Sequence, residues 1–111
     1  MSPTEQNADK LWVAIHGETA YVRVQGRGSF KVSTSLKQFG MGAIEAHCHR
    51  ILLDMTDCIG MDSTFMGVLA GLAFNIRNAG NGDIVLFNLS LRTRGLLSTL
   101  GLDQIIKPFM S

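Results

Sequence analysis

The chain has 111 residues, 46% of them hydrophobic, with ten basic and nine acidic residues and a net charge of +1. That length fits one domain with a real core, and the apolar fraction excludes a disordered chain. Balanced charge without a Lys/Arg cluster excludes the electrostatic footprint of a nucleic-acid binder or an anionic-membrane binder.

The opening "MSPTEQNADK" is polar and predicts a frayed tail over residues 1–10, with one domain over 11–111. It has no basic stretch leading into an apolar run, so no signal peptide is expected. "KLWVAIHGETAYVRV" then alternates apolar and other residues on both sides of a Gly-containing turn. Leu11, Val13 and Ile15 fall on one face of the first strand, and Ala20, Val22 and Val24 on one face of the second. This is the signature of a hairpin. "GRGS", Gly26–Ser29, breaks the pattern.

Phe30 to about Ala46 predicts a helix, with Leu36, Phe39 and Ile44 on one side. Gly40 and Gly42 weaken it, by roughly 1 kcal/mol each against Ala. "RILLDMT", Arg50–Thr56, is too short for an ordinary helix and fits a strand buried on both faces. "DIVLFNL", Asp83–Leu89, is a second such run. Between them a helix runs from about Ser63 to Asn78. "NAGNG" ends it, with Gly80 available for a left-handed cap. Two buried strands joined by one helix form a βαβ unit. Ser90 can cap a further helix, with Leu96, Leu97 and Leu100 on its apolar side and Gly101 at its end. "QIIKPF" makes a short last strand or turn, and Pro108 confines it to an edge. The order is β-β-α-β-α-β-α with a short C-terminal strand or turn: an α/β domain whose mixed sheet joins an antiparallel hairpin to parallel crossovers.

The longest apolar run, Phe65–Phe74, is half the roughly 20 residues that a bilayer crossing needs, so no membrane insertion is expected. Cys48 and Cys58 are too few for a disulfide framework and fit a reduced, cytoplasmic chain. "HCH", His47–His49, lacks a second spaced pair of ligands, so no metal is expected. The Gly-rich stretches lack the Lys-Ser/Thr ending of a phosphate loop, and no nucleophile elbow is present, so neither a cofactor nor catalysis is expected.

The chemistry concentrates at "DSTF". Asp62 or Ser63 is a good helix cap, and Ser63 and Thr64 stand where a helix N-terminus favours an anion. A phosphate there adds about −1.5 to −2 charges. Asp54, Asp57 and Asp62 lie close by in sequence and would repel it. Along the helix Phe65, Val68, Leu69, Leu72 and Ile76 form a core stripe. Met66, Ala70 and Phe74 lean to another side, suited to a protein contact. The bland alternative is a simple cap, with the second apolar side buried under the Phe30–Ala46 helix.

"RILLDMTDCIGMDSTFMGVLAGL" followed by "NAGNGDIVLFNLSLRTRGLLSTLGLDQII" resembles the sulfate transporter and anti-sigma factor antagonist (STAS) domain family, in particular its stand-alone members similar to anti-anti-sigma factors. Asp54-Met55-Thr56 stands at that family's Asp-Leu-Ser, and Asp62-Ser63-Thr64 at its Asp-Ser-Ser. Gly67-Val68-Leu69 stands at its Gly-Val-Leu, and Leu100-Gly101-Leu102 at its closing Thr-Gly-Leu. The likeness spans Trp12 to Phe109. It implies a bacterial regulator that is a kinase substrate and not an enzyme. Thr64 would be the phosphoacceptor with Ser63 its alternate, Asp54 and Asp62 would shape the acceptor pocket, and Phe65, Met66, Ala70 and Phe74 would meet the partner. The partner would be an anti-sigma serine/threonine kinase bound by the unphosphorylated form, with a phosphatase reversing the mark; a homodimer is left open. The chain departs from the pattern in placing Phe65 at the family's Gly, Met66 at its Leu and Thr64 at its usual Ser. The rival implication is a constitutive STAS accessory subunit of a lipid ABC transporter, or a signalling scaffold.

Overall fold

The computed structural model describes residues 9–104 and 106–109. Strands β1 (Lys10–His16) and β2 (Thr19–Gly28) form the hairpin, and helix α1 (Phe30–Glu45) follows. Next come β3 (Arg50–Asp54), β4 (Cys58–Met61), α2 (Ser63–Gly80) and β5 (Asp83–Phe87). Helix α3 (Leu91–Thr99), a 3-10 turn (Leu102–Gln104) and β6 (Lys107–Phe109) complete the chain. The strands lie in the order β1-β2-β3-β5-β6, with β4 joined to β2. The β1–β2 pair is antiparallel and every other pair is parallel.

Five expectations need correction. Residues 1–8 of the predicted tail lie outside the described residues, but Lys10 already pairs with Gln25 in the hairpin. Asp9 accepts hydrogen bonds from Arg27 N at 3.0 Å and Ser29 Oγ at 2.8 Å. "GRGS" does not end the second strand. Gly26 turns through φ 86°, and β2 runs on to Gly28, parting from β3 after Arg23 and pairing instead with β4. That fourth strand, "CIGM", was not anticipated. The left-handed residue at the end of α2 is Asn81, with φ 60°, rather than Gly80. Finally, Leu97 alone of the three α3 leucines is buried; Leu96 and Leu100 are exposed.

Register assigns the two faces of the sheet. Ala20, Val22 and Val24 of β2 share a face with Ile51 and Leu53 of β3 and with Ile84 and Leu86 of β5. All are buried, in one cluster with Val32, Leu36 and Ala43 of α1 and Phe65, Leu69, Leu72 and Ile76 of α2. The opposite face carries Trp12, Tyr21, Arg23, Leu52 and Asp54, and Trp12, Tyr21 and Arg23 are exposed.

Two glycines set how closely the elements pack. A Cβ on Gly40 of α1 would lie 2.6 Å from Leu72 of α2, so the predicted weak spot in α1 is the contact surface between the helices. A Cβ on Gly28 would lie 2.9 Å from the Phe65 ring. The bare end of β2 thus makes room for the large residue in the first turn of α2.

Candidate functional site

The mouth of α2 is built by one carboxylate. Asp62 Oδ1 accepts the Phe65 N–H at 2.9 Å, capping α2, and Oδ2 accepts the Phe30 N–H at 2.9 Å, at the first residue of α1. Asp62 N donates to Gly28 O at 2.9 Å, holding the cap against the end of β2. A single side chain therefore serves the N-termini of both helices, and its charge faces two helix dipoles that favour it. Of the two caps left open by the sequence, it is Asp62 that caps α2.

With the cap filled by Asp62, Ser63 and Thr64 are free to face outward, and both are exposed. The N–H groups of Ser63 and Thr64 belong to the first turn, where helix geometry offers no carbonyl partner. Thr64 borders a groove of about 340 Å³ between the two helices, lined also by Lys37 and Met41 of α1 and by Gly67, Val68, Gly71, Leu72 and Asn75 of α2. Asn75 Nδ2 donates to Met41 Sδ at 3.6 Å across it.

The predicted partner residues divide. Ala70 is half-buried, and Phe74, 64% exposed, stands out from α2. Phe65 and Met66 are both buried in the core, so neither offers a side chain to a partner; this corrects the expectation for both. The buried arc of α2 is wider than the main stripe and takes in Met66 and Ala73 on the flank away from the α1 groove. Phe65 does not crowd Thr64, because its ring turns inward onto Gly28.

Asp54 is not in a pocket with Thr64. By register it points to the opposite face of the sheet, and it lines a groove of about 520 Å³ with Trp12, Tyr21, Leu52, Phe87 and Asn88. There it accepts from Thr56 Oγ1 at 2.5 Å and Thr56 N at 3.0 Å, while Asn88 Nδ2 donates to Thr56 Oγ1 at 2.8 Å. The Thr56 hydroxyl, with its backbone N–H, holds the Asp54 carboxyl below the usual aspartate range. The cluster ties the loop after β3 to the loop after β5. Asp57, expected to repel a phosphate, is ion-paired with Arg23.

Sequence reasoning missed Lys37, Gly67 and Gly71. The two glycines carry a helical spacing from Thr64 that a helical wheel displays; Lys37 reaches the groove only through the packing of α1 on α2. Among the described residues no three His, Cys, Asp or Glu side chains come together as a metal site, and both cysteines are free. Among them, too, no helix is long and apolar enough to cross a membrane.

The fold is similar to that of the anti-sigma factor antagonist SpoIIAA in its unphosphorylated form, with a TM-score of 0.74 and 18% identity over 92% of this chain and 87% of that one. The phosphorylated form of the Bacillus cell fate determinant SpoIIAA gives a TM-score of 0.73 at 19% identity, covering 90% of this chain and 91% of that one. An anti-sigma factor antagonist from Mycobacterium paratuberculosis gives 0.77 at 16% identity, covering 93% and 86%. No curated protein matches the sequence. The STAS domain model matches residues 11–111, and the chain belongs to the STAS domain family.

Proposed function

We propose that this chain is a protein-binding module switched by phosphorylation, acting as an anti-sigma factor antagonist in a bacterial cytoplasm. Thr64 is the phosphoacceptor and Ser63 its alternate. The observation that carries the reading is the exposed hydroxyl pair on the first turn of α2, beside backbone N–H groups without helix partners. The likeness to SpoIIAA in phosphorylated and unphosphorylated forms supports it.

In the unmodified state the outer side of α2, from Thr64 past Gly67, Ala70 and Gly71 to Phe74, docks on an anti-sigma serine/threonine kinase. The chain is substrate and ligand and performs no catalysis. In the modifying step Thr64 Oγ1 attacks the γ-phosphorus of ATP held by the kinase. ADP leaves, and the hydroxyl proton passes to a base of the kinase. A phosphatase returns the hydroxyl by hydrolysis.

The fold tolerates the phosphate because the helix mouth favours an anion, Lys37 lines the same groove, and the Asp62 carboxylate is already engaged by two N–H groups. The interface does not. A dianion must be desolvated there or must face acidic partner groups. One like-charge contact at 4 Å is worth about 4 kcal/mol at an effective dielectric near 20, and about 1.4 kcal/mol already weakens binding tenfold.

Incubation with ATP and candidate anti-sigma kinases, followed by mass spectrometry, tests the assignment. A single phosphate lost in Thr64→Ala supports it, and loss in Ser63→Ala instead moves the role to Ser63. No phosphate, together with tight ATP-independent co-purification with a transporter ATPase, replaces it with a constitutive subunit.

A further inference from the structure

The two edges of the sheet are treated differently. The β6 edge is three residues long and contains Pro108, which has no N–H to offer. The β1 edge is seven residues long and, among the described residues, carries no proline or bulge and a Lys only at its first position, Lys10. Its pairing with β2 runs without a bulge from Lys10 to His16, and the residues between these ends are Leu11, Trp12, Val13, Ala14 and Ile15. Among the described residues no strand lies on its outer side.

Its side chains are exposed on both faces. Trp12 is 55% exposed on the open face, and Val13 and Ile15 are each 49% exposed on the helix side. Leu11 packs against the core, but α1 leaves Val13 and Ile15 half in solvent. The indole N–H of Trp12 is already satisfied, donating to Gln25 Oε1 at 3.0 Å, so covering the ring strands no donor.

The strand is also complementary to itself. Antiparallel pairing about a two-fold axis at Val13 sets Val13 against Val13, Leu11 against Ile15, and Trp12 against Ala14. On the helix side, Leu11, Val13 and Ile15 of both copies then form one apolar row. On the open face each indole lies across from a methyl group, large against small. Such an interface is isologous and closes at two subunits.

We propose that β1 pairs with β1 of a second copy of this chain about this axis, joining two sheets edge to edge into a homodimer. The surface is separate from the mouth of α2, so the dimer stands or falls independently of the phosphorylation switch.

Sedimentation velocity over a dilution series tests it, using the wild type, Val13→Lys, Val13→Glu and an equimolar mixture of the two variants. The wild type is expected as a dimer that dissociates on dilution. Each variant alone places like charges on the axis and is expected to raise the dimer Kd at least about tenfold, and the mixture to restore a dimer by pairing opposite charges. A wild type that stays monomeric throughout overturns the proposal. So does a Val13→Lys chain that dimerises as tightly as the wild type, or a mixture that stays monomeric where the wild type pairs. Hydrogen exchange of the wild type needs no folded variant: β1 amides must gain protection as concentration rises, and protection independent of concentration overturns the pairing.

Discussion

Replacing Asp62 by Ala removes both of its side-chain hydrogen bonds at once. The bond to Phe65 N is an ordinary helix cap, whose loss costs about 1 kcal/mol, within a range of roughly 0.5–2. The bond to Phe30 N satisfies a first-turn donor of α1. Phe30 is exposed, so water replaces part of that bond, and its loss adds about 1 kcal/mol. The sum is about 2 kcal/mol, a large share of the roughly 5–15 kcal/mol that holds a domain together. For a chain of this size it lowers Tm by about 8 °C, at roughly 4 °C per kcal/mol. Asp62→Asn keeps one acceptor oxygen and should lose about half as much. Urea denaturation of the three proteins gives the free energies directly. An Ala variant within about 0.5 kcal/mol of wild type would refute the double-cap reasoning.

Gly67→Ala and Gly71→Ala should each stabilise the fold by about 0.5–1 kcal/mol in thermal melts, because a Cβ at either position meets nothing within 4 Å in a helix interior. Each should nevertheless weaken kinase binding, measured by titration calorimetry, if the outer side of α2 is the docking face. Gly40→Ala should do the opposite to stability, costing about 1–3 kcal/mol in urea unfolding, since the added methyl meets the Leu72 side chain at 2.6 Å. Asp54→Asn should cost about 1 kcal/mol or less at neutral pH. The native Asp54 carboxyl titrates below its unfolded value, chiefly through its bond from the Thr56 hydroxyl. Its contribution is therefore complete above the ordinary aspartate range and is lost as pH falls through the depressed native value. Wild type and Asp54→Asn should thus converge in stability at strongly acidic pH; a gap that persists there contradicts the assignment.

Periodicity carried most of the fold. The alternation in "LWVAI" and "AYVRV", the apolar runs "RILLD" and "DIVLF", and the helix between them are local signals, and they located the hairpin and the βαβ unit. The strand β4 was not legible. It has four residues, its Ile59 is 76% exposed, and it exists because Gly26 lets β2 swing away to meet it. That partnership is non-local and leaves no pattern in "CIGM". At the site, Asp62-Ser63-Thr64 was readable because a cap is local chemistry. The second bond of Asp62, to Phe30, joins residues 32 apart and is visible only in the fold. Met66 was misplaced because the buried arc of α2 extends past the single stripe on the flank away from α1, and Asp54 because adjacency along the chain to "DST" does not decide which face of a strand a side chain takes.

The central claim is that charge acquired at Thr64 weakens a protein contact without disturbing the fold. Its most direct test is the Kd of the cognate anti-sigma kinase for the chain before and after stoichiometric phosphorylation at Thr64, with circular dichroism recorded on both forms. The account predicts a Kd at least about tenfold weaker for the phosphorylated form, with unchanged circular dichroism. Equal affinity of the two forms, or a loss of affinity accompanied by unfolding, would contradict it.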